Sequence, residues 1–111
     1  MPRDYKVYLE DVLEAIGSIR SYTQGMSFES FSADKKTRDA VVRNLEVVGE
    51  AVKRVPEDLR CRHARVDWKK IAGLRDILIH EYFGIDLTII WDILQNKMPA
   101  LEEEVRGMLK E

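Results

Sequence analysis

The sequence predicts an all-α protein, an antiparallel four-helix bundle with an additional short C-terminal helix. Apolar residues recur three or four positions apart in four long segments, which is the spacing of helices that bury one face. The connections between these segments are short, and no alternating apolar run is flanked by hairpin turns. A chain of 111 residues, 45% hydrophobic and 34% charged, fits one domain over residues 1–111 around one core.

The first helix is expected from about Asp4 to Tyr22. Gly25 marks its end, because glycine tolerates the left-handed backbone that often terminates a helix. In the short linking turn that follows, Phe28 and Phe31 are expected to plug one end of the bundle.

The second helix is expected to begin near Ser32 or Asp34 and to continue to about Val55, where Pro56 ends it. Residues 56–66 then form a polar connector with room for one helical turn.

The third helix is expected from Trp68 to Phe83, with Asp67 as its N-cap and Gly84 as its end signal. Its apolar stripe consists of residues three or four positions apart: Ile71, Leu74, Leu78 and Tyr82.

Asp86 is expected to cap a fourth helix. Its apolar positions are Leu87, Ile90, Trp91 and Leu94. Pro99 breaks or restarts the pattern, because it has no amide hydrogen for an interior helix bond. A last short helix, with Leu101, Val105 and Met108 facing inward, completes the chain.

Arg75 lies in the apolar stripe of the third helix, four residues after Ile71 and three before Leu78. A guanidinium keeps its charge at any ordinary pH, so burying it without a partner is very costly. Arg75 is therefore expected either to meet an anion or to line a wet cleft, which makes this helix a candidate site.

His80 follows Arg75 by five residues, about 140° around the helix, and shares its face with Asp76, Ile77 and Phe83. The helix is thus apolar on two sides, and the second side needs a second surface, most simply another copy of the chain. Asp76 lies one turn before His80, within reach of a hydrogen bond that would orient the imidazole and favour its protonated form.

The net charge of −2 hides an uneven distribution of charge. Residues 53–70 hold seven basic side chains: Lys53, Arg54, Arg60, Arg62, Arg65, Lys69 and Lys70. Residues 81–104 hold six acidic side chains and one lysine. The two segments are either solvated faces or, on the basic side, a rim that binds a polyanion next to the Arg75 helix. Net acidity argues against tight, sequence-blind coating of nucleic acid.

The sequence carries no signal for a membrane, a metal or a cofactor. No apolar run approaches the length of a membrane span, and the first residues lack the apolar core of a signal peptide. The single Cys61 has no disulfide partner and no companions for a zinc site, and there is no glycine-rich phosphate loop. A reduced, cytoplasmic setting is expected.

Glu46 and Glu50 lie one turn apart on the second helix, beside its stripe. As a pair they are candidates to support the site as general acid and base or as metal ligands. The ordinary alternative is a solvated edge or an ion pair with Arg43 or Arg54. Pairing of either carboxylate with Arg75 would give the motif a purely structural explanation.

Two further side chains carry less information. Tyr82, taken alone, is explained by a large half-buried ring with its hydroxyl in water. His63 lies in the basic connector without a partner visible in the sequence, and no role is assigned to it.

The order Arg75, four residues, His80, one residue, Tyr82, on the third helix of a small helical bundle, resembles the HEPN superfamily. More closely it resembles the HepT-like toxins that pair with MntA-type minimal nucleotidyltransferase antitoxins. The resemblance rests on residues 72–86 (AGLRDILIHEYFGID), 44–51 (NLEVVGEA) and 91–93 (WDI), and it extends over nearly the whole chain. Arg-x4-His alone would match many proteins by chance, but the longer phrase in this order is specific.

The resemblance implies a metal-independent endoribonuclease that needs no cofactor and acts as a homodimer, with the two motif helices facing each other across a composite cleft. By position, Arg75 and His80 match the catalytic pair. Tyr82 matches the tyrosine that the antitoxin adenylylates to silence the toxin. The residue after the arginine is commonly Asn in such proteins; here it is Asp76, whose charge would strengthen imidazolium formation or repel phosphate.

The implied partners are an RNA substrate, a cognate nucleotidyltransferase antitoxin and a second copy of the chain, with assembly beyond a dimer left open. Three hypotheses remain at this point: a ribonuclease toxin, a catalytically silent nucleotide-binding or interaction partner of the nucleotidyltransferase, and a structural dimer in which Glu46 or Glu50 neutralises Arg75. A neighbouring nucleotidyltransferase gene would favour the first two, which an RNA-cleavage assay would separate.

Overall fold

A computed structural model describes residues 4–81 and 86–111, except for the side chains of His80 and Glu81. All regular secondary structure in this part of the chain is helical, which confirms the predicted all-α class. None of the described helices is both long enough and apolar enough to cross a membrane.

The helices follow one another with short connections. In chain order they are α1 (Tyr5–Thr23), α2 (Phe28–Ala33), α3 (Lys35–Val52), α4 (Glu57–Cys61), α5 (Trp68–Ala72), α6 (Leu74–Glu81), α7 (Leu87–Asp92), a π-helical turn (Ile93–Lys97) and α8 (Met98–Leu109).

The first connection contains a helix where a turn was expected. α1 ends at Thr23, and Gly25 has the positive φ of 76° that its position after the helix requires. Ser27 then caps α2 in a reciprocal capping box with Ser30. Phe31 of α2 is fully buried and contacts Trp91 of α7, with ring centroids 5.1 Å apart.

α3 begins where the sequence indicates and ends earlier. Its N-cap is Asp34, which accepts a hydrogen bond from the backbone N–H of Thr37 at 3.0 Å. The helix ends at Val52 rather than Val55, and the N–H groups of Arg54 and Val55 then bond to the carbonyls three residues before them, in tighter turns ahead of Pro56. The connector then holds the single helical turn α4, as expected.

The core lies between α3 and the helices on both sides of it. α3 packs against α1 on one side and against α5 and α6 on another, while α1 also contacts α8 and α6 contacts α7. Twenty-six apolar side chains are buried at these contacts, and none of the described buried residues is polar or charged. Among the described residues, hydrophobic burial therefore holds α6, the helix that carries Arg75 and His80, against α3 without a buried ion pair.

The prediction of one helix over residues 68–83 was wrong in one respect. Asp67 caps it as expected, accepting from the Lys70 N–H at 3.1 Å. The helix is interrupted at Gly73, whose N–H bonds back to the carbonyls of Lys69 and Lys70. A new helix, α6, starts at Leu74. The predicted end at Phe83 and Gly84 lies outside the described residues.

Asp86 takes the N-cap position of α7 as predicted, but its carboxylate accepts a hydrogen bond from the Thr88 hydroxyl rather than from a backbone N–H. The expected short terminal helix is the 12-residue α8, which follows α7 and the π-helical turn without a non-helical residue between them.

Pro99 accounts for the π-helical turn. Because proline has no N–H, the carbonyl four residues before it loses its α-helical donor, and the ring crowds that carbonyl. The backbone widens by one residue, so that the Met98 N–H bonds to the carbonyl of Ile93. Pro99 therefore changes the helix type locally instead of breaking the helix.

Gly49 of α3 determines how closely α3 can approach α5 and the start of α6. A Cβ at this position would lie 3.2 Å from the backbone oxygen of Ile71 and 3.4 Å from the Cβ of Leu74. Gly17 of α1 offers a matched control, since a Cβ there meets nothing within 4 Å.

Both Gly→Ala substitutions gain about 0.5–1 kcal/mol of helix propensity. The added methyl of Gly49→Ala also crowds Ile71 and Leu74. We therefore expect its free energy of unfolding in urea to be about 1–3 kcal/mol lower than that of Gly17→Ala. Equal stabilisation by the two substitutions would show that the helices are not in close contact at Gly49.

Candidate functional site

The motif helix α6 is anchored by two leucines. Leu74 is 1% exposed and Leu78 2% exposed, and both belong to the core between α6 and α3. These contacts fix the rotation of α6, so the side chains on its other faces have defined directions.

Arg75 lies at the edge of the apolar stripe, not within it. Its side chain is exposed, as is that of Asp76. Among the side chains that the structure describes, Arg75 has no ion-pair partner. The two outcomes expected for this arginine, an anion or a wet cleft, stay predictions from the sequence.

The exposed apolar residue of α6 is Ile79. Ile77, which the sequence placed on the uncovered face, is half-buried against the protein's own core. Ile79 is instead 48% exposed, four residues and one turn after Arg75. The predicted face of Ile77, His80 and Phe83 is therefore not confirmed, because Ile77 is half-buried and the other two side chains lie outside the described residues.

His80 belongs to α6 by its backbone, but its side chain lies outside the described residues. Tyr82 lies outside them altogether. The expected hydrogen bond between Asp76 and His80 and the role of Tyr82 therefore stay predictions from the sequence.

Glu46 and Glu50 face away from the motif. They line a cavity of about 340 Å³ between α1 and α3 that also contains Arg43 and Arg54. Glu50 pairs with Lys53 of the same segment at 3.0 Å. Within the described residues neither carboxylate contacts Arg75, so the purely structural explanation of the arginine has no support here.

The basic connector and the acidic C-terminal helix partly neutralise each other. Arg62 pairs with Glu111 at 3.3 Å, and Arg65 pairs with Glu103 and Glu104 at 3.5 and 3.6 Å. The two charged segments are thus not simply two separate solvated faces.

His63 is the centre of this contact, although no role was assigned to it from sequence. Its Nδ1 lies 3.3 Å from a carboxylate oxygen of Glu104, and its Nε2 lies 2.5 Å from one of Glu111. A neutral imidazole has one N–H, so hydrogen bonds to both carboxylates require the imidazolium. The Glu111 hydrogen bond is the main cause that raises the pKa of His63, with Glu104 contributing and burial opposing.

His63 also holds the start of the motif segment. Its backbone carbonyl accepts a hydrogen bond from the Trp68 indole N–H at 2.9 Å. The connector is therefore fixed to α8 through the ring of His63 and to α5 through its backbone. The carboxylates are 41 and 48 residues away in sequence, which is why no local pattern reveals this cluster.

No group of three or more His, Cys, Asp or Glu side chains among the described residues could hold a metal ion. Cys61, at the end of α4, is free and exposed.

A family model described as ribonuclease HepT-like matches residues 12–108 of the chain. The matched region begins within α1, ends within α8 and includes α3, α5 and α6 completely. No solved structure matches the chain.

Curated relatives cover the chain almost completely. A Methanocaldococcus jannaschii protein, provisionally named as an RNase, is 48% identical over 100% of this chain and 93% of its own length. A Caldanaerobacter subterraneus protein with the same provisional name is 45% identical over 93% of this chain and 92% of the relative. A Thermococcus cleftensis protein, provisionally named ribonuclease HepT, is 42% identical over 99% of this chain and 100% of the relative.

The His63 contact predicts a pH dependence of stability. A raised pKa in the folded state contributes stability that is fully present below the unfolded value of about 6.5 and is lost as pH rises through the folded pKa. We therefore expect the stability difference between wild type and His63→Gln to be largest near pH 6 and to shrink toward pH 9. Other groups cancel in this difference. A difference that stays constant or grows with pH in thermal unfolding would contradict an imidazolium at His63.

Proposed function

Because the chain belongs to the HepT-like ribonuclease family, we propose that it is an endoribonuclease that cleaves RNA without a metal ion. The observation that carries the proposal is the family match over residues 12–108 on a chain whose motif arginine is exposed and free of an ion pair among the described residues. The provisional RNase names of its relatives support the same activity.

The reaction can proceed on groups that RNA and the protein supply. The 2′-hydroxyl attacks the adjacent phosphorus, the P–O5′ bond breaks, and the products are a 2′,3′-cyclic phosphate and a 5′-hydroxyl. In this proposal His80 takes the 2′-hydroxyl proton or gives a proton to the leaving oxygen, and His80 of a second copy takes the other role. Arg75 holds the phosphate with two parallel hydrogen bonds and stabilises the charge that develops on its oxygens.

Asp76 has the place of a positioning residue in this proposal. It is exposed, one turn before His80 on the same helix. A carboxylate there favours the imidazolium and so the general-acid form of His80. The same charge disfavours phosphate binding nearby, which would favour the alternative function, a catalytically silent nucleotide-binding or interaction partner of a nucleotidyltransferase.

We further propose that α1, α3, α5–α6 and α7–α8 form a four-helix bundle that dimerises through α6. An apolar side chain left 48% exposed beside the motif arginine supports this interface. A two-fold axis near α6 would bring two copies of Arg75 and His80 to one cleft.

The regulatory part of the proposal rests on the family. The protein would be the toxin of a toxin–antitoxin pair in the cytoplasm, where a free, exposed Cys61 stays reduced. A cognate nucleotidyltransferase antitoxin would transfer AMP from ATP to the Tyr82 hydroxyl with release of pyrophosphate. The added phosphate would offer Arg75 a competing anion and block the cleft.

Catalysis is tested by two variants and a control. In the presence of a chelator, His80→Ala should lower RNA cleavage by about two to four orders of magnitude. Arg75→Lys should also lose most activity, because a lysine ammonium does not replace a bidentate guanidinium. Arg43→Lys, at an exposed position on α3, is the matched control and should cleave like wild type. Undiminished cleavage by His80→Ala would locate the activity elsewhere.

The dimer interface is tested by light scattering at micromolar concentration. Wild type should be a dimer, and Ile79→Lys should be a monomer, because it places a charge in the apolar contact. Tyr22→Lys changes an equally exposed apolar residue on α1, 45% exposed, and should remain a dimer. A monomeric wild type would contradict the composite cleft.

The acceptor tyrosine is tested by intact-mass measurement after incubation with the cognate nucleotidyltransferase and ATP. Wild type and Tyr22→Phe should gain AMP, whereas Tyr82→Phe should not, because it keeps the ring and lacks the oxygen. A gain of AMP that persists in Tyr82→Phe would place the acceptor at another residue.

A further inference from the structure

A cavity of about 500 Å³ lies between α5–α6 and the segment formed by α7 and the π-helical turn. Its volume falls in the range of small-molecule sites. Its apolar wall consists of the following side chains: Ile71, Leu74, Ile77, Ile89 and Ile93. Such a wall suits the flat, weakly polar face of a nucleobase.

The rim of the cavity carries cations although the protein as a whole is acidic. Lys70 and Lys97 are exposed and, among the described residues, have no ion-pair partner. Arg65 is a third rim cation, and its contacts with acidic residues are 3.5 Å or longer. This rim is complementary to an anion.

The carboxylates at the rim are already engaged. Asp67 accepts from the Lys70 backbone N–H at 3.1 Å. Asp92 accepts from the side-chain amide of Asn96 at 2.5 Å, which fixes both polar groups at the cavity edge. The rim therefore holds three cations, Arg65, Lys70 and Lys97, against two carboxylates that are fixed by hydrogen bonds.

The π-helical turn forms one wall of this cavity. Ile93, Asn96 and Lys97 of the turn all line it. A π-helical turn is a rare geometry that often occurs at functional sites. Within these five consecutive residues, an apolar, an amide and a cationic side chain line the same cavity.

We propose that this cavity binds one nucleotide of single-stranded RNA, with the base against the isoleucines and its phosphate at Lys70 and Lys97. The inference rests on the proposed ribonuclease function and adds a subsite to it. The segment α5–α6 contributes Lys70, Ile71 and Ile77 to the cavity and also carries Arg75.

The location of binding is tested by NMR of isoleucine δ1 methyls. The probe is a 2′-O-methyl tetranucleotide, which lacks the nucleophilic hydroxyl and stays uncleaved. We expect shifts at the cavity residues Ile71, Ile77, Ile89 and Ile93. Ile16 and Ile19, buried in α1 beside α8, should not shift.

Shifts confined to Ile79 would mean that RNA contacts only the motif surface, and the cavity proposal would be wrong. Absence of any shift would also overturn it. Failure of the proposed ribonuclease function has a different signature, namely no cleavage of ordinary RNA by wild type whether or not the tetranucleotide binds.

The phosphate contact is tested by salt dependence. The logarithm of the RNA-binding constant falls linearly with the logarithm of the salt concentration. Removing one phosphate contact to a single strand makes this negative slope shallower by about 0.7. Lys97→Ala should show this shallower slope and a raised KM for ordinary RNA at unchanged kcat. Lys36→Ala, an exposed lysine on α3, is the control and should keep the wild-type slope. An unchanged slope in Lys97→Ala would contradict a phosphate at this rim.

Discussion

The close contact between α3 and the motif segment is the constraint on which the site depends. Gly49 lets α3 approach the backbone at Ile71, and Leu74 and Leu78 are then buried against it. Once these two leucines fix the rotation of α6, helix geometry directs Arg75 outward. Among the described residues the helix is anchored by apolar packing, and its exposed guanidinium does not enter the core.

Charge pairing within the chain decides which cations remain available to a ligand. His63 and Arg65 of the connector pair with Glu104 of α8, and Arg62 pairs with Glu111. Among the described residues this leaves Lys70 and Lys97 unpaired near the motif helix. A protein with a net charge of −2 can in this way present local cations, which is compatible with the expectation that it does not coat nucleic acid tightly and without regard to sequence.

Local signals in the sequence predicted the N-caps at Asp34 and Asp67, and distant contacts could not be predicted. Asp34 and Asp67 act as N-caps because a carboxylate needs only backbone N–H groups two or three residues away. The interruption at Gly73 was missed because a glycine inside a periodic apolar segment is often tolerated. Pro99 was recognised, but whether it breaks a helix or widens it depends on packing around it. The partners of His63 are more than 40 residues away, beyond any local pattern.

The central claim is that this protein cleaves RNA through the 2′-hydroxyl without a metal ion. The most direct measurement is mass spectrometry of the ends produced when purified protein, shown by its intact mass to carry no AMP, acts on a defined RNA with excess chelator. We expect fragments that end in a 2′,3′-cyclic phosphate and begin with a 5′-hydroxyl. Intact RNA, or fragments with 3′-hydroxyl and 5′-phosphate ends from attack by water, would contradict the claim.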